Sequence, residues 1–470
     1  MRQRLAALVV VGIVVAGTNS RAQDAPKESD ALRLDDVLAS VERSFPLLKA
    51  AELEKSMATG DLLSAEGGFD VSWKTRGALI PVGYYDSVRI ESVVEKPTSL
   101  WGASPFVSYK FGRGHIPIYD GRQETLEYGE VRAGVNLPLW RNGPIDRRRA
   151  NLARAELGQD VAGLSVVEQR VQFRRAAAHR YWAWVAAGRR LVIAHELLKN
   201  VEGRDAGLGT RVDRGDLPRV ERTDNARAVE QRKAQVALSQ RGVEQAAIEL
   251  GLYLRDGEGK PSSPQPWRML RSFPDPPPDA TASGNDISLA LARRPEARRF
   301  RLQLRQNQIE LDWARNQLVP GIDLQLAGSQ DFGRALASRP DLSKPVLEVT
   351  ILLDIPIQTR FMQGRADAAS AMVTRFGHLQ DFARDRIEAD VRDAHSAIRG
   401  ARERIEAARR EVKLALELEN AERTRFEQGD SHLLIVNIRE QQTAEAELRE
   451  VDAFFDYHRA AADLKAARGE

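Results

Sequence analysis

Hydrophobic and polar residues alternate in two stretches of the chain that share a phase. Val131, Ala133, Val135, Leu137 and Leu139 are apolar around Pro138, and Val349, Ile351, Leu353, Ile355 and Ile357 repeat the spacing around Pro356. A period of two with one continuous apolar side predicts a strand with one greasy face. Phe69–Trp73 and Ile322–Leu326 form an earlier pair of the same kind. Each strand pair precedes a very long charged stretch with helical spacing, from about Ile145 to Val212 and from Met362 to Glu427, free of proline. At ~1.5 Å per residue, each would make a rod of about 100 Å. In the second rod, Ile387, Val391, Ala394, Ile398, Ala401, Ile405, Ala408, Val412 and Ala415 alternate steps of four and three. That is a heptad seam, the pattern of helices that pack along a partner.

Both rods break at a Gly-Asp pair, Arg214-Gly215-Asp216-Leu217 and Gln428-Gly429-Asp430-Ser431. Glycine accepts the positive φ that ends a helix. The aspartate can cap the next helix, with Pro218 tolerated in its first turn. Each rod is thus expected to turn back, returning through Leu217–Leu254 or Leu433–Ala467. One architectural unit used twice is the reading: 23–255 a first repeat, 256–286 a proline-rich extended linker, 287–470 a second repeat.

Residues 1–22 carry Arg2 and Arg4, an apolar run from Leu5 to Ala16, and the small-residue site Ser20-Arg-Ala22. This predicts a secretory signal peptide, with an uncleaved anchor as the alternative. Cleavage would remove Arg2, Arg4 and Arg21 and no acid, leaving 67 basic against 67 acidic residues. Balanced charge gives no support to a nucleic-acid partner. The chain has no cysteine, which excludes disulfides and an N-terminal lipid anchor on cysteine. After the leader no apolar run is long enough for a transmembrane helix.

No enzyme chemistry is legible. The seven histidines show no metal-ligand spacing, and neither a phosphate-cradling loop nor a Gly-x-Ser-x-Gly elbow occurs. Tyr181, Trp182 and Trp184 sit at helical spacing and read as core packing. The expectation is no enzyme, no cofactor and no metal. One-faced strands on a secreted chain suggest an outer-membrane barrel. Four strands cannot close one, and an open edge in lipid leaves backbone groups unpaired, so several copies must pool their strands.

In this order and spacing the pieces resemble the TolC-type outer-membrane efflux proteins. They are Val135-Asn-Leu-Pro-Leu-Trp140 leading into Arg147-Arg-Arg-Ala150, Leu353-Asp-Ile-Pro-Ile357 leading into Gly364-Arg-Ala-Asp-Ala368, the two tips, and Gln317–Asp323. The resemblance covers essentially the whole mature chain. It implies an α+β membrane protein: a homotrimer with a twelve-stranded barrel, four strands per subunit, continuing into a coiled-coil helical tunnel through the periplasm. It implies the exit duct of a tripartite efflux or type I secretion system, in contact with outer-membrane lipid, a periplasmic adaptor and an inner-membrane pump. A periplasmic coiled-coil adaptor or scaffold is the alternative, and an envelope hydrolase a more distant one.

On this reading the adaptor would meet Arg214, Gly215, Asp216, Leu217, Gly429, Asp430, Ser431, Leu433 and Leu434, with exposed leucines as the contacts. Lipid would meet Val131, Val135, Leu139, Val349, Leu353 and Ile357, while Arg132, Asn136 and Asp354 face the lumen or a neighbouring protein surface. The family's best-known members close the tunnel with aspartates shortly after the second tip. Here those positions hold Ile435 and Ile438, followed by Arg439, so a hydrophobic constriction gating by dewetting is expected. The first strand pair is also interrupted, because Phe69 to Pro138 is about twice as long as Ile322 to Pro356. Val88–Val93 and Phe106–Phe111 within that insertion could form an extracellular hairpin or added barrel strands.

Overall fold

Each repeat enters its strands by the same device. A short amphipathic helix ends, one extended residue follows, and a proline opens the next helix. In the first repeat α1 (Leu34–Ser44) gives way at Phe45 to α2 (Pro46–Glu66). In the second, α5 (Asn285–Arg293) gives way at Arg294 to α6 (Pro295–Asn316). Proline needs no amide partner in a first turn and forces the residue before it out of the helical region, so the break is fixed locally. The structure, a computed structural model, describes residues 31–116, 124–277, 285–334 and 340–470. The predicted leader lies outside the described residues.

Six strands come after these entry helices. β1 (Ser72–Ile80), β2 (Ser87–Glu95), β3 (Ser104–Gly114) and β4 (Glu130–Pro138) come from the first repeat, β5 (Gly321–Asp331) and β6 (Val346–Asp354) from the second. They form one antiparallel sheet in the order β1-β2-β3-β4-β5-β6. This corrects the expectation of four strands per subunit. The insertion supplies two full strands between β1 and β4: β2 pairs along its whole length with β1 and with β3, and β3 pairs with β4 over Ser104–Lys110. Two boundaries also shift. Phe69 lies in a 3-10 turn opened by Gly67-Gly68, so β1 begins later than expected; β6 stops at Asp354, before Pro356, which has no N–H to give to a ladder.

α3 (Arg147–Asp213) and α7 (Arg360–Gln428) are the two rods, and α4 (Arg219–Gly251) and α8 (Leu433–Ala467) return from them. Asp146 caps α3, its Oδ1 accepting from the Arg149 amide at 2.9 Å. The heptad seam of α7 is the buried one: Ile387, Val391, Ala394, Ala401, Ile405 and Ala408 are all sequestered against α8, α6 and α5. The largest core cluster joins α1 and α2 to α3, where Val37, Val41 and Leu48 meet Val166, Trp184 and Tyr181, whose hydroxyl donates to the Leu32 carbonyl at 2.8 Å.

The segment between repeats is not merely extended. Phe273 stacks on Trp182 of α3 and on Phe454 and His458 of α8, so the linker clasps the two repeats together. No helix among the described residues is long and apolar enough to cross a membrane.

Candidate functional site

Two regions of the molecule face outward with chemistry that its own packing does not use: one face of the sheet and the ends of the helical hairpins. Residues directly opposite in an antiparallel ladder point to the same side. The register therefore places Leu79, Val88, Ile90, Val94, Val107, Tyr109, Val131, Val135, Leu326, Val349, Ile351 and Leu353 on one face. Most of them are exposed. The other face carries Arg76, Glu91, Lys110, Arg132, Asn136, Gln325, Glu348 and Asp354. There Arg132 donates to Gln325 at 3.2 Å and pairs with Glu348 at 3.3 Å, Gln325 donates to Asn136 at 2.7 Å, and Arg141 pairs with Asp354. The polar face ends, beside the start of α3, in a concavity of about 790 Å³ lined by Asn136, Asn142, Arg147, Asp323 and Gln325. Val131, Val135, Val349 and Leu353 thus share one side. Leu139 and Ile357 lie just past their strands, the first still held by its amide to the Ile322 carbonyl at 2.7 Å, the second 97% exposed.

At the far end of α3 and α7 the two turns close by the same backbone bonds. The Gly215 and Asp216 amides donate to the Val212 and Arg211 carbonyls at 3.0 and 2.9 Å. Gly429 and Asp430 donate to Phe426 and Arg425 at 3.2 and 2.9 Å. Both glycines have positive φ, 80° and 87°. This satisfies the last carbonyls of each rod by the paired six-to-one and five-to-two bonds of a glycine-terminated helix. The expected caps are corrected here. Neither Asp216 nor Asp430 caps the returning helix, because α4 starts at Arg219 and α8 at Leu433, which leaves each aspartate two residues before the N-cap while its amide closes the helix before it. Pro218 and His432 occupy the N-cap positions, without a side-chain cap bond.

A second correction concerns the leucines. Leu433 is fully buried at 0% exposure, packed with Leu208, Phe426 and Val436, and Leu217 is half-buried against that cluster. Leu433 therefore holds the second tip against α3 and offers nothing outward. Leu434, at 59% exposure, is the leucine that points away. Arg214, Gly215, Asp216, Gly429 and Asp430 are exposed, and Ser431 is half-buried with its hydroxyl on Glu422.

One turn further along α8, Ile435 and Ile438 are exposed at 38% and 45%, and Arg439 is half-buried, donating to Gln442 at 3.0 Å. Directly behind them lies a cluster that sequence reasoning missed. Glu440, essentially buried, accepts from Arg204 of α3 at 2.5 Å and Arg423 of α7 at 3.1 Å. Arg204 also donates to Asn437 at 2.8 Å, and Arg423 to Glu419 at 2.9 Å. A carboxylate buried between two guanidiniums ties three helices of two repeats together; removing one partner would strand a buried charge. The only sequence signal was a glutamate four residues after Val436, on the buried side of α8. Among the described residues no group of acidic or histidine side chains is arranged to hold a metal ion.

A one-faced sheet mounted on paired helical rods defines the architecture of the chain. Residues 287–470, the whole second repeat, match the family described as outer membrane efflux protein. Solved structures share the fold across nearly the whole chain. The Campylobacter jejuni CmeC outer membrane channel is 13% identical, covering 98% of this chain and 94% of its own, with a TM-score of 0.66. The Neisseria gonorrhoeae MtrE outer membrane channel in its open state is 18% identical over 93% and 89%, with a TM-score of 0.64. The Vibrio cholerae outer membrane protein VceC is 14% identical over 93% and 96%, at 0.65. No curated protein matches the chain in sequence. The family match and the shared fold bear out the resemblance to the outer-membrane efflux proteins.

Proposed function

We propose that the protein is the outer-membrane exit duct of a tripartite efflux or type I secretion system. Three copies pool their sheets into a barrel in the outer membrane, and their helical hairpins form a tunnel reaching toward a periplasmic adaptor and an inner-membrane pump. The duct passes its cargo without chemistry. The observation that carries this reading is the apolar face kept in register across six consecutive strands. Such a face buried in nothing of its own chain needs lipid, and an open antiparallel sheet in lipid needs its edges paired. Exposed apolar residues along the helices, among them Leu53, Met57 and Leu63 on α2 and Leu414 and Leu418 on α7, supply surface for neighbouring subunits.

The tips meet the adaptor through Arg214, Asp216, Asp430 and Leu434, and Ile435 and Ile438 ring the narrow part of the tunnel. Membrane fractionation followed by mass measurement in detergent tests the whole: an outer-membrane trimer is expected, and a soluble monomer ends the reading. In planar bilayers Ile435→Asp or Ile438→Asp is expected to raise conductance by wetting the constriction. Unchanged conductance in both would remove the hydrophobic gate.

A further inference from the structure

We propose that the β2–β3 hairpin is part of the barrel wall, so that three copies close an eighteen-stranded barrel where four strands each would give twelve. This rests on the channel reading above. Four observations carry it. First, β2 and β3 are 9 and 11 residues long, matching the 9 to 11 of the other four strands. About 9–11 residues is what a tilted strand needs to cross a bilayer.

Second, the inserted strands continue both faces without a slip. Ile90, Val94 and Val107 fall on the apolar side with Val135. On the other side Arg76, Glu91, Lys110 and Glu130 stand directly opposite one another, strand to strand, from β1 to β4. Charges alternate in sign along that row, the pairing that stabilises neighbouring strands. A hairpin standing out in water would need neither the apolar side nor the matched row.

Third, the turn between β2 and β3 lies at the helical end of the sheet. Residues 96–103 close it through Lys96 N–H to Pro105 at 3.0 Å and Thr98 Oγ1 to Ala103 at 2.7 Å. Trp101, about half exposed, lies against the connection from β4 to α3, where a Cβ on Gly143 would come within 2.8 Å of its indole nitrogen. The hairpin therefore runs the full height of the sheet. Fourth, adding two strands leaves β1 and β6 antiparallel to each other. The β6 edge of one copy can still pair with β1 of the next, and a cyclic closure remains available.

The consequence is a wider pore at the membrane. With strands about 4.8 Å apart and tilted about 40°, eighteen of them close at a backbone diameter of about 36 Å, against about 24 Å for twelve. The cross-section roughly doubles, because diameter grows in step with strand number. The membrane segment then ceases to restrict passage, and any selection by size falls to the helical tunnel.

The chain lacks cysteine, so single cysteines can report topology. Tyr84→Cys marks the β1–β2 turn and Leu100→Cys the β2–β3 turn; both side chains are exposed. The reagent is a maleimide on a polyethylene glycol too large to traverse the channel. Tyr84→Cys should be labelled on intact cells, and Leu100→Cys only after the outer membrane is permeabilised. Labelling of both on intact cells would place the hairpin outside and overturn the proposal. Labelling of neither would remove the outer-membrane reading itself, and the proposal with it. Electron cryomicroscopy of the purified trimer viewed down its axis should count eighteen strands; twelve would overturn the proposal whatever the labelling.

Discussion

The first repeat sends four strands into the sheet and the second sends two, yet their rods are 67 and 69 residues long and their returning helices 33 and 35. The two halves differ where they meet the sheet and agree where they meet each other. Helix length is constrained because both tips end at one level, where Leu433 and Val436 of the second repeat pack on Leu208 of the first. A change of one turn in either rod would separate them by about 5.4 Å. Strand number is constrained only by parity. A hairpin inserted between β1 and β4 preserves every direction and every face, whereas a single inserted strand would reverse the direction of every later one.

The sharpest break between the two tips should appear at their leucines. Leu433→Ala removes a fully buried side chain from the second tip and should cost about 2–5 kcal/mol. Leu217→Ala, at the first tip and only half-buried, should cost well under half of that. Hydrogen exchange at the two turns in the purified trimer would measure this. Equal loosening at both would mean that the tips are packed alike and that the asymmetry is wrong.

In the sheet the comparison predicts sameness. Ile90→Arg in the inserted β2 and Val135→Arg in β4 lie near mid-strand on the apolar face, so each should cost about 2–4 kcal/mol and reduce assembled trimer. Asn136→Arg, on the polar face, should be mild. Yield of heat-stable trimer from membranes reads all three. If Ile90→Arg assembled as well as Asn136→Arg while Val135→Arg failed, β2 would not be in lipid.

Where the repeats are clasped together, pH should act. His458 stacks on Trp182 at 4.0 Å and donates its Nε2–H to the Pro274 carbonyl 3.1 Å away, and burial pushes its pKa down to about 4 from its ordinary 6.5. The folded protein thus favours the neutral ring. Its contribution is fully present above pH 6.5 and is lost as pH falls from there toward 4, about 2 kcal/mol at pH 5. His458→Gln should flatten this part of the stability profile measured by denaturant between pH 7 and 5. An unchanged slope would assign the acid sensitivity to other groups.

Much of this was legible in the residues because local chemistry decides it. The rods end within two residues of where proline and glycine said they would, and the α7 seam is buried at six of its nine positions, with Ile398, Val412 and Ala415 half-buried. Phase also survived: Val131, Val135, Val349 and Leu353 share a face, since a period of two reports faces even when strand ends are misjudged. What escaped was set by distant partners. Leu433 looks like any exposed leucine after a turn until Phe426 and α3 are laid beside it. Arg204 and Glu440 are two among many charges, and only the packing of one repeat on the other brings them to 2.5 Å. Asp216 and Asp430 suggested caps because their side chains can cap. Their backbone amides were already committed to closing the preceding helix, which any residue type can do.

That backbone closure gives the last and smallest test. Gly215 and Gly429 are the one feature in which the two tips agree almost atom for atom. A Cβ at either would meet nothing within 4 Å, so Gly→Ala there adds no clash. The cost is conformational alone, about 1–2 kcal/mol for an L-residue held at positive φ. Gly215→Ala and Gly429→Ala should therefore lower stability by similar small amounts, and Gly→Asn by less, because asparagine tolerates that region. Thermal unfolding of the trimer can rank the four variants. A much larger loss at Gly429 than at Gly215 would show that the second turn is also gripped from outside, by a neighbouring subunit packed against it, and the two tips would then differ in their surroundings as well as in their cores.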